Sequence, residues 1–176
     1  MIKINTYSHT FKSFFIFLNL YFISFFMNAY SDLDKLNLPD GFEISIFAKD
    51  LDSPRQITQT NDGYVIVGSK KGDKIYALDD QDLDGYAEKR ILVAEGLQNP
   101  TGVSVFEGDL YFAEIDTIWI IKDIDQWLKQ NSQLLPNKTI YMNNLPSETW
   151  HGFKYIDFGP DGNLYIPVGV LCNICL

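Results

Sequence analysis

Leu51-Asp-Ser-Pro54-Arg-Gln-Ile57 returns as Leu97-Gln-Asn-Pro100-Thr-Gly-Val103, and this return decides the fold. From Pro54 to Pro100 is 46 residues, the length of a propeller blade. The same succession follows each proline. In the first unit a short strand over residues 56–59 meets the turn Asn61-Asp-Gly63 and then a second strand over 64–68. In the second unit residues 102–106, the turn Glu107-Gly-Asp109 and residues 110–113 repeat it. A third copy lacks the Leu-x-x-Pro lead but keeps the rest: residues 153–158, Gly159-Pro-Asp-Gly162, then 164–168. Glycine and aspartate suit tight hairpin turns, and β-branched and aromatic residues fill the strands.

The first unit carries two further strands, residues 74–78 after Lys71-Gly-Asp73 and residues 90–94. Four antiparallel strands per unit is the propeller pattern. The expected fold is therefore all-β, a β-propeller of four-stranded antiparallel blades. Asp125-Gln-Trp-Leu-Lys-Gln-Asn131 reads as a short helix capped by Asp125, an excursion between the second and third units. Phe42-Glu-Ile-Ser-Ile-Phe47 alternates like a strand but stands ahead of the first unit with no partners of its own. In propellers closed by pairing the two termini, such a strand completes the last blade. Closure takes about four to eight blades, and residues 32–176 hold about three. They are expected to form a partial propeller, half of a six-bladed one, incomplete at the C-terminus.

Composition limits the partners. The chain has 176 residues, of which 46% are hydrophobic and 21% charged, as in a globular protein able to bury one core. Against 23 Asp and Glu stand 14 Lys and Arg, a formal charge of -9. Nucleic acid is a poor partner for such a surface, because nothing on it would neutralise phosphates and release their counterions.

Residues 1–31 read as an export signal. Lys3 and Lys12 open it, a mostly apolar run from Ser13 to Met27 follows, and Ala29-Tyr30-Ser31 supplies small residues at alternate positions before Asp32. Cleavage after Ser31 would leave a periplasmic or secreted protein with no stable membrane span. The alternative is an uncleaved anchor. A 15-residue helix measures only about 22 Å, short of the roughly 30 Å hydrocarbon core.

Asp80-x-Asp82-x-Asp84-Gly85 places carboxylates at the first, third and fifth positions of a loop and glycine at the sixth, with Glu88 at the ninth. Hard cations want several oxygens, and the glycine permits a sharp turn, so this is the beginning of a calcium loop. Ile91 occupies the twelfth position, where an EF-hand has its bidentate glutamate. A structural calcium on Asp80, Asp82, Asp84 and Glu88 stands beside the alternative of a solvated acidic hairpin.

Four segments carry a resemblance: Leu38-Pro-Asp-Gly-Phe-Glu-Ile44, Leu51-Asp-Ser-Pro-Arg55, Asp79-Asp-Gln-Asp-Leu-Asp-Gly85, and above all His151-Gly-Phe-Lys-Tyr-Ile-Asp-Phe-Gly-Pro-Asp-Gly-Asn-Leu-Tyr165. Together they resemble the N-terminal half of the soluble quinoprotein glucose and sorbosone dehydrogenases, which use pyrroloquinoline quinone (PQQ) and calcium. The resemblance covers nearly all of the chain after the leader. It implies that His151, eight residues before Gly159, is the catalytic base at the head of a blade's inner strand. An imidazole titrating near neutrality suits removal of the sugar hydroxyl proton, while the quinone, polarised by calcium, takes the hydride. Read from its residues alone, an isolated His151 more often caps a blade or satisfies a buried hydrogen bond than catalyses. The implied partners are a small sugar or aldehyde substrate and an external electron acceptor.

The sequence departs from that family at two places. Trp150 stands where glucose-oxidising members carry an acidic residue, and Val170 follows Gly169 where many relatives have aspartate. The resemblance also implies that the basic residues holding the cofactor carboxylates, and the carbonyls holding the catalytic calcium, lie beyond Leu176. Cys172-Asn-Ile-Cys175 has the spacing of a small disulfide in an exported protein, or of two free thiols, while a zinc site lacks nearby ligands. Sorbosone-type members show the same Cys-Asn-x-Cys pattern. The expected function is oxidation of a sugar or aldose of the sorbosone type. The alternatives are a propeller that only binds sugars and a calcium-dependent sugar lactonase.

Overall fold

A computed structural model of the chain describes residues 33–170 and 172–173; the expected export signal and cleavage after Ser31 lie outside them. Two compact units divide at Ser45. In the first, the described residues form a single 3-10 turn, Leu33–Lys35, and a turn closed by Phe42 N–H on the Pro39 carbonyl at 3.2 Å.

The second unit contains the repeat. Strands β1 (Pro54–Gln59), β2 (Val65–Ser69), β3 (Ile75–Asp79) and β4 (Lys89–Ala94) form one antiparallel sheet in sequence order. A second sheet repeats it with β5 (Gly102–Phe106), β6 (Asp109–Ala113), β7 (Ile118–Ile121) and β8 (Thr139–Met142). A hairpin of β9 (Asp157–Phe158) and β10 (Leu164–Tyr165) begins a third. The bulge between Pro54 and Ile57 lies where proline has no N–H to give the ladder.

The second sheet shows why its strands read as nearly continuous apolar runs. Side chains alternate across a strand. Leu110, Phe112 and Ile121 enter one core with Ile66, Ile75, Ala77 and Val93 of the first blade. Tyr111, Ala113, Ile118 and Ile120 enter another with Ile156 and Phe158 of the third. This blade is covered on both faces, so no polar stripe is left to mark an outside.

Inner strands of successive blades meet through side chains and bare backbone. Ser104 Oγ donates to Asp157 Oδ1 at 2.9 Å, and Val105 N–H to Thr58 Oγ1 at 3.4 Å. Gln56 of β1 brackets Ile156, its Nε2 donating to the carbonyl at 2.8 Å while its Oε1 accepts from the N–H at 3.3 Å. Gly102 makes the approach possible, since a Cβ there would lie 2.2 Å from the Lys154 carbonyl oxygen.

Three expectations need correction. The third unit's strands are shorter than the predicted 153–158 and 164–168; in the first of them Gln56, not a ladder partner, takes both backbone groups of Ile156. Residues 42–47 form no strand: Phe42 and Ile44 are exposed and no ladder partner is present among the described residues. Helix α1 runs Ile124–Lys129 inside the second blade, between β7 and β8 and not between the second and third units, with Asp123 at its N-cap, left-handed at φ 49° and without a side-chain cap. Asp125 does not cap it; its carboxylate accepts from Asn61 N–H of the first blade at 3.1 Å.

Candidate functional site

Non-glycine residues in the left-handed region mark how the inner strands begin. Ser53 (φ 47°) and Asn99 (φ 50°) immediately precede Pro54 and Pro100, and His151 (φ 56°) stands at the corner that leads to β9. Such a conformation costs an L-residue about 1–3 kcal/mol and persists only where the surroundings impose it.

At His151 the surroundings are tight. Gly152 N–H closes a turn on the Thr149 carbonyl at 3.2 Å, and a Cβ on Gly152 would lie 2.1 Å from the Glu148 oxygen. Gly169 packs so closely that a Cβ there would be 2.2 Å from the His151 carbonyl oxygen and 2.7 Å from its Cβ. The imidazole Nδ1 lies 3.2 Å from the Val170 carbonyl oxygen. A carbonyl only accepts, so Nδ1 is the donor in this contact, and in the neutral tautomer that follows Nε2 is the accepting nitrogen of an exposed ring. The orienting partner is backbone, so an apolar side chain at 170 does not remove it.

Two neighbours complete the corner. Trp150, 60% exposed, stacks on the imidazole with centroids 5.0 Å apart and planes 30° apart, offering a broad apolar face beside His151. Lys154 is 1% exposed, and its Nζ donates to the Gly152 carbonyl at 2.6 Å. Burial pushes its pKa below the ordinary lysine value, while Asp116 and Glu148 pull it back up. Sequence reading missed Lys154. The signal was its place in the alternation, on the same side as Ile156 and Phe158.

PQQ is a flat quinone with three carboxylates, and the described residues fit part of it. His151 supplies an open nitrogen and Trp150 a flat apolar surface. Two cations lie on aromatic rings of the segment after His151: Lys70 Nζ is 5.0 Å from the Phe153 ring centre, and the Arg55 guanidinium carbon 5.7 Å from that of Tyr155.

The acidic loop between β3 and β4 comes together as its spacing predicts. Asp80, Asp82, Asp84 and Glu88 each offer a carboxylate oxygen, all within 4.8 Å of one another. Oxygens on opposite sides of a calcium ion stand about 4.6–5.2 Å apart, so the set fits that cation. Leu83 (φ 60°) and Gly85 (φ 89°) make the turn. Amides of Asp84 and Gly85 donate to the Asp80 carboxylate at 3.1 and 3.0 Å, and Gln81 N–H to Glu88 Oε2 at 3.1 Å. Ile91, paired with Ala77 in the sheet, supplies no ligand. Nothing described joins this loop to His151. Cys172 is disulfide-bonded, and Cys175 lies outside the described residues.

A family model with the description "Domain of unknown function (DUF7133)" matches residues 30–173. A Borreliella burgdorferi protein described as uncharacterized is 25% identical over 154 residues, which cover 79% of this chain and 37% of that protein. Among solved structures, the chain is similar to the holo form of the pyranose dehydrogenase PQQ domain of Coprinopsis cinerea, with TM-score 0.65 and 18% identity over 78% of this chain and 33% of that one. A Trichoderma reesei protein of carbohydrate-active enzyme family AA12 gives TM-score 0.64 and 18% identity over 77% of this chain and 34% of its own. The fold is thus the all-β, four-stranded-blade propeller. The chain spans about a third of the length of these relatives.

Proposed function

Taking as premise that the chain belongs to the DUF7133 family, we propose that it forms the base-bearing part of an exported quinoprotein dehydrogenase that oxidises a sugar or aldose of the sorbosone type. The observation that carries this reading is the His151 corner: an exposed imidazole held through Nδ1 by a backbone carbonyl, with Nε2 open. PQQ, when bound, supplies the acceptor for the hydride leaving the sugar carbon.

The chain's own contribution is proton transfer and orientation. Nε2 takes the hydroxyl proton of the sugar carbon that is oxidised, and Nδ1–H on the Val170 carbonyl keeps the ring from turning as it becomes cationic. The exposed face of Trp150 receives the apolar face of the sugar ring, which fits a substrate pocket without an acid beside the base. Arg55 and Lys70 are the cations available to the cofactor carboxylates from this part of the fold. The acidic loop holds a structural calcium, separate from the cation that would polarise the quinone. Residues 1–31 direct the chain to the periplasm or beyond.

The test is dye-linked oxidation of aldoses and sugar aldehydes by the full-length protein reconstituted with PQQ and calcium. His151→Ala is expected to lower turnover by about 100- to 10,000-fold while leaving PQQ binding intact. A variant with full turnover removes His151 from the reaction. Lactone hydrolysis without dye reduction would replace the oxidoreductase reading altogether.

A further inference from the structure

We propose that Lys154 is a positioning residue, whose ammonium grips the carbonyl of Gly152 and thereby fixes the orientation of the His151 ring. The inference deepens the reading of His151 as base and rests on it. Lys154 is one of the largest fully buried side chains of the described fold, at 1% exposure, alongside Phe112, Ile66 and Ile156. A methionine or leucine would fill the same space without desolvating a charge, so packing alone gives no reason for a lysine. What the lysine adds is one donor on one acceptor, Nζ to the Gly152 oxygen at 2.6 Å.

That acceptor lies one peptide beyond the strained residue. His151 is at φ 56°, and Gly152 is packed against Glu148 with its N–H already committed to Thr149. The Gly152 carbonyl is the group that Lys154 takes, and its direction fixes the plane of the following peptide. The grip is itself anchored: the Lys154 backbone carbonyl lies against Gly102 of β5, where no Cβ would fit. A chain of contacts therefore runs from the second blade's sheet through Lys154 to the peptide beside the base. Asp116 and Glu148, the acids that act on Lys154, favour its charged form. Small displacements of a catalytic group are expensive in rate, about a hundredfold for roughly 1 Å.

The experiment uses the full-length protein and two readouts. In the apoprotein, the rate at which diethyl pyrocarbonate modifies His151 is followed by peptide mass spectrometry. After reconstitution with PQQ and calcium, kcat and KM are measured with an aldose. Lys154→Met is expected to change the modification rate severalfold and to lower kcat by about tenfold to a hundredfold, with KM little changed. Lys154→Arg, which keeps a donor, recovers part of the kcat. Ile156→Val, a buried neighbour, lowers the melting temperature and leaves both readouts at wild-type values. Should Lys154→Met fail to fold, Lys154→Gln, whose amide falls one bond short of the carbonyl, is judged by the same readouts. A folded Met or Gln variant with the wild-type modification rate and kcat overturns the proposal. A wild-type protein without dehydrogenase turnover defeats the oxidoreductase reading, and the modification rates still decide the role of Lys154.

Discussion

Gly169→Ala adds one methyl group directly against His151. In the native packing the new Cβ would sit 2.2 Å from the His151 carbonyl oxygen and 2.7 Å from its Cβ, whereas real Cβ atoms essentially never approach within 3.0 Å. Relief requires a movement of about 0.8 Å to regain the shortest tolerated contact, and somewhat more to reach ordinary van der Waals distance. Both obstacles belong to His151, one of them its backbone, so the movement falls on the segment carrying Gly169 and Val170 or on His151 itself. Either way the Nδ1–H hydrogen bond at 3.2 Å is lengthened beyond a useful distance. A shift of this size at a reacting group lowers kcat/KM by about a hundredfold. The assay is steady-state dye reduction with melting temperature in parallel. Gly162→Ala is the comparison, because its Cβ meets only Phe106 at 3.7 Å while the backbone keeps φ 74°; it should lose stability and keep its rate. A Gly169→Ala enzyme with wild-type kcat/KM would show that the His151–Gly169 contact does not control the base.

Other outcomes follow from the same geometry. Calcium at a hundred times its dissociation constant stabilises by about 2.7 kcal/mol, so chelation should lower the melting temperature by several degrees in the wild type and not in Asp82→Ala; equal curves would leave the loop a solvated hairpin. Trp150→Ala should raise KM for the sugar with kcat largely kept, and Trp150→Phe should restore it, as initial rates over a range of sugar concentrations would show. Because burial holds the folded Lys154 pKa below the ordinary lysine value of 10.5, the stability it contributes is fully present above the unfolded value and is lost as pH falls through the folded one. The wild type should therefore gain stability relative to Lys154→Met as pH rises from neutrality towards 10.5, read as a widening gap between denaturation midpoints.

The first two blades were legible because the signals that define them are local. Pro54 and Pro100 lead into inner strands, Asn61-Asp-Gly63 and Glu107-Gly-Asp109 turn them, and the four strands of the first blade and the first two of the second fall within a few residues of the expected ones, whereas β7 and β8 had no expected counterpart. The shortened β9 was not legible, since what takes the backbone of Ile156 is a side chain 100 residues away, that of Gln56. The helix start moved because Asp125 found a partner in another blade. At the corner, the sequence pointed to His151 through resemblance. The left-handed backbone, the Gly169 contact and the buried Lys154 come from packing between segments that no local pattern records.

The Gln56 bracket has a consequence for how the chain acquires this structure. Each four-stranded sheet closes through hairpins between neighbours in sequence, and such contacts form on the microsecond scale. The bracket joins residues 100 apart, so the entropy of closing that long loop must be met before either hydrogen bond is gained. The blades are then early, semi-independent events, and the seating of Ile156 beneath Gln56 is a late one that waits for both. His151 stands only five residues before Ile156. The corner that carries His151 is therefore expected to settle after the two four-stranded sheets have formed.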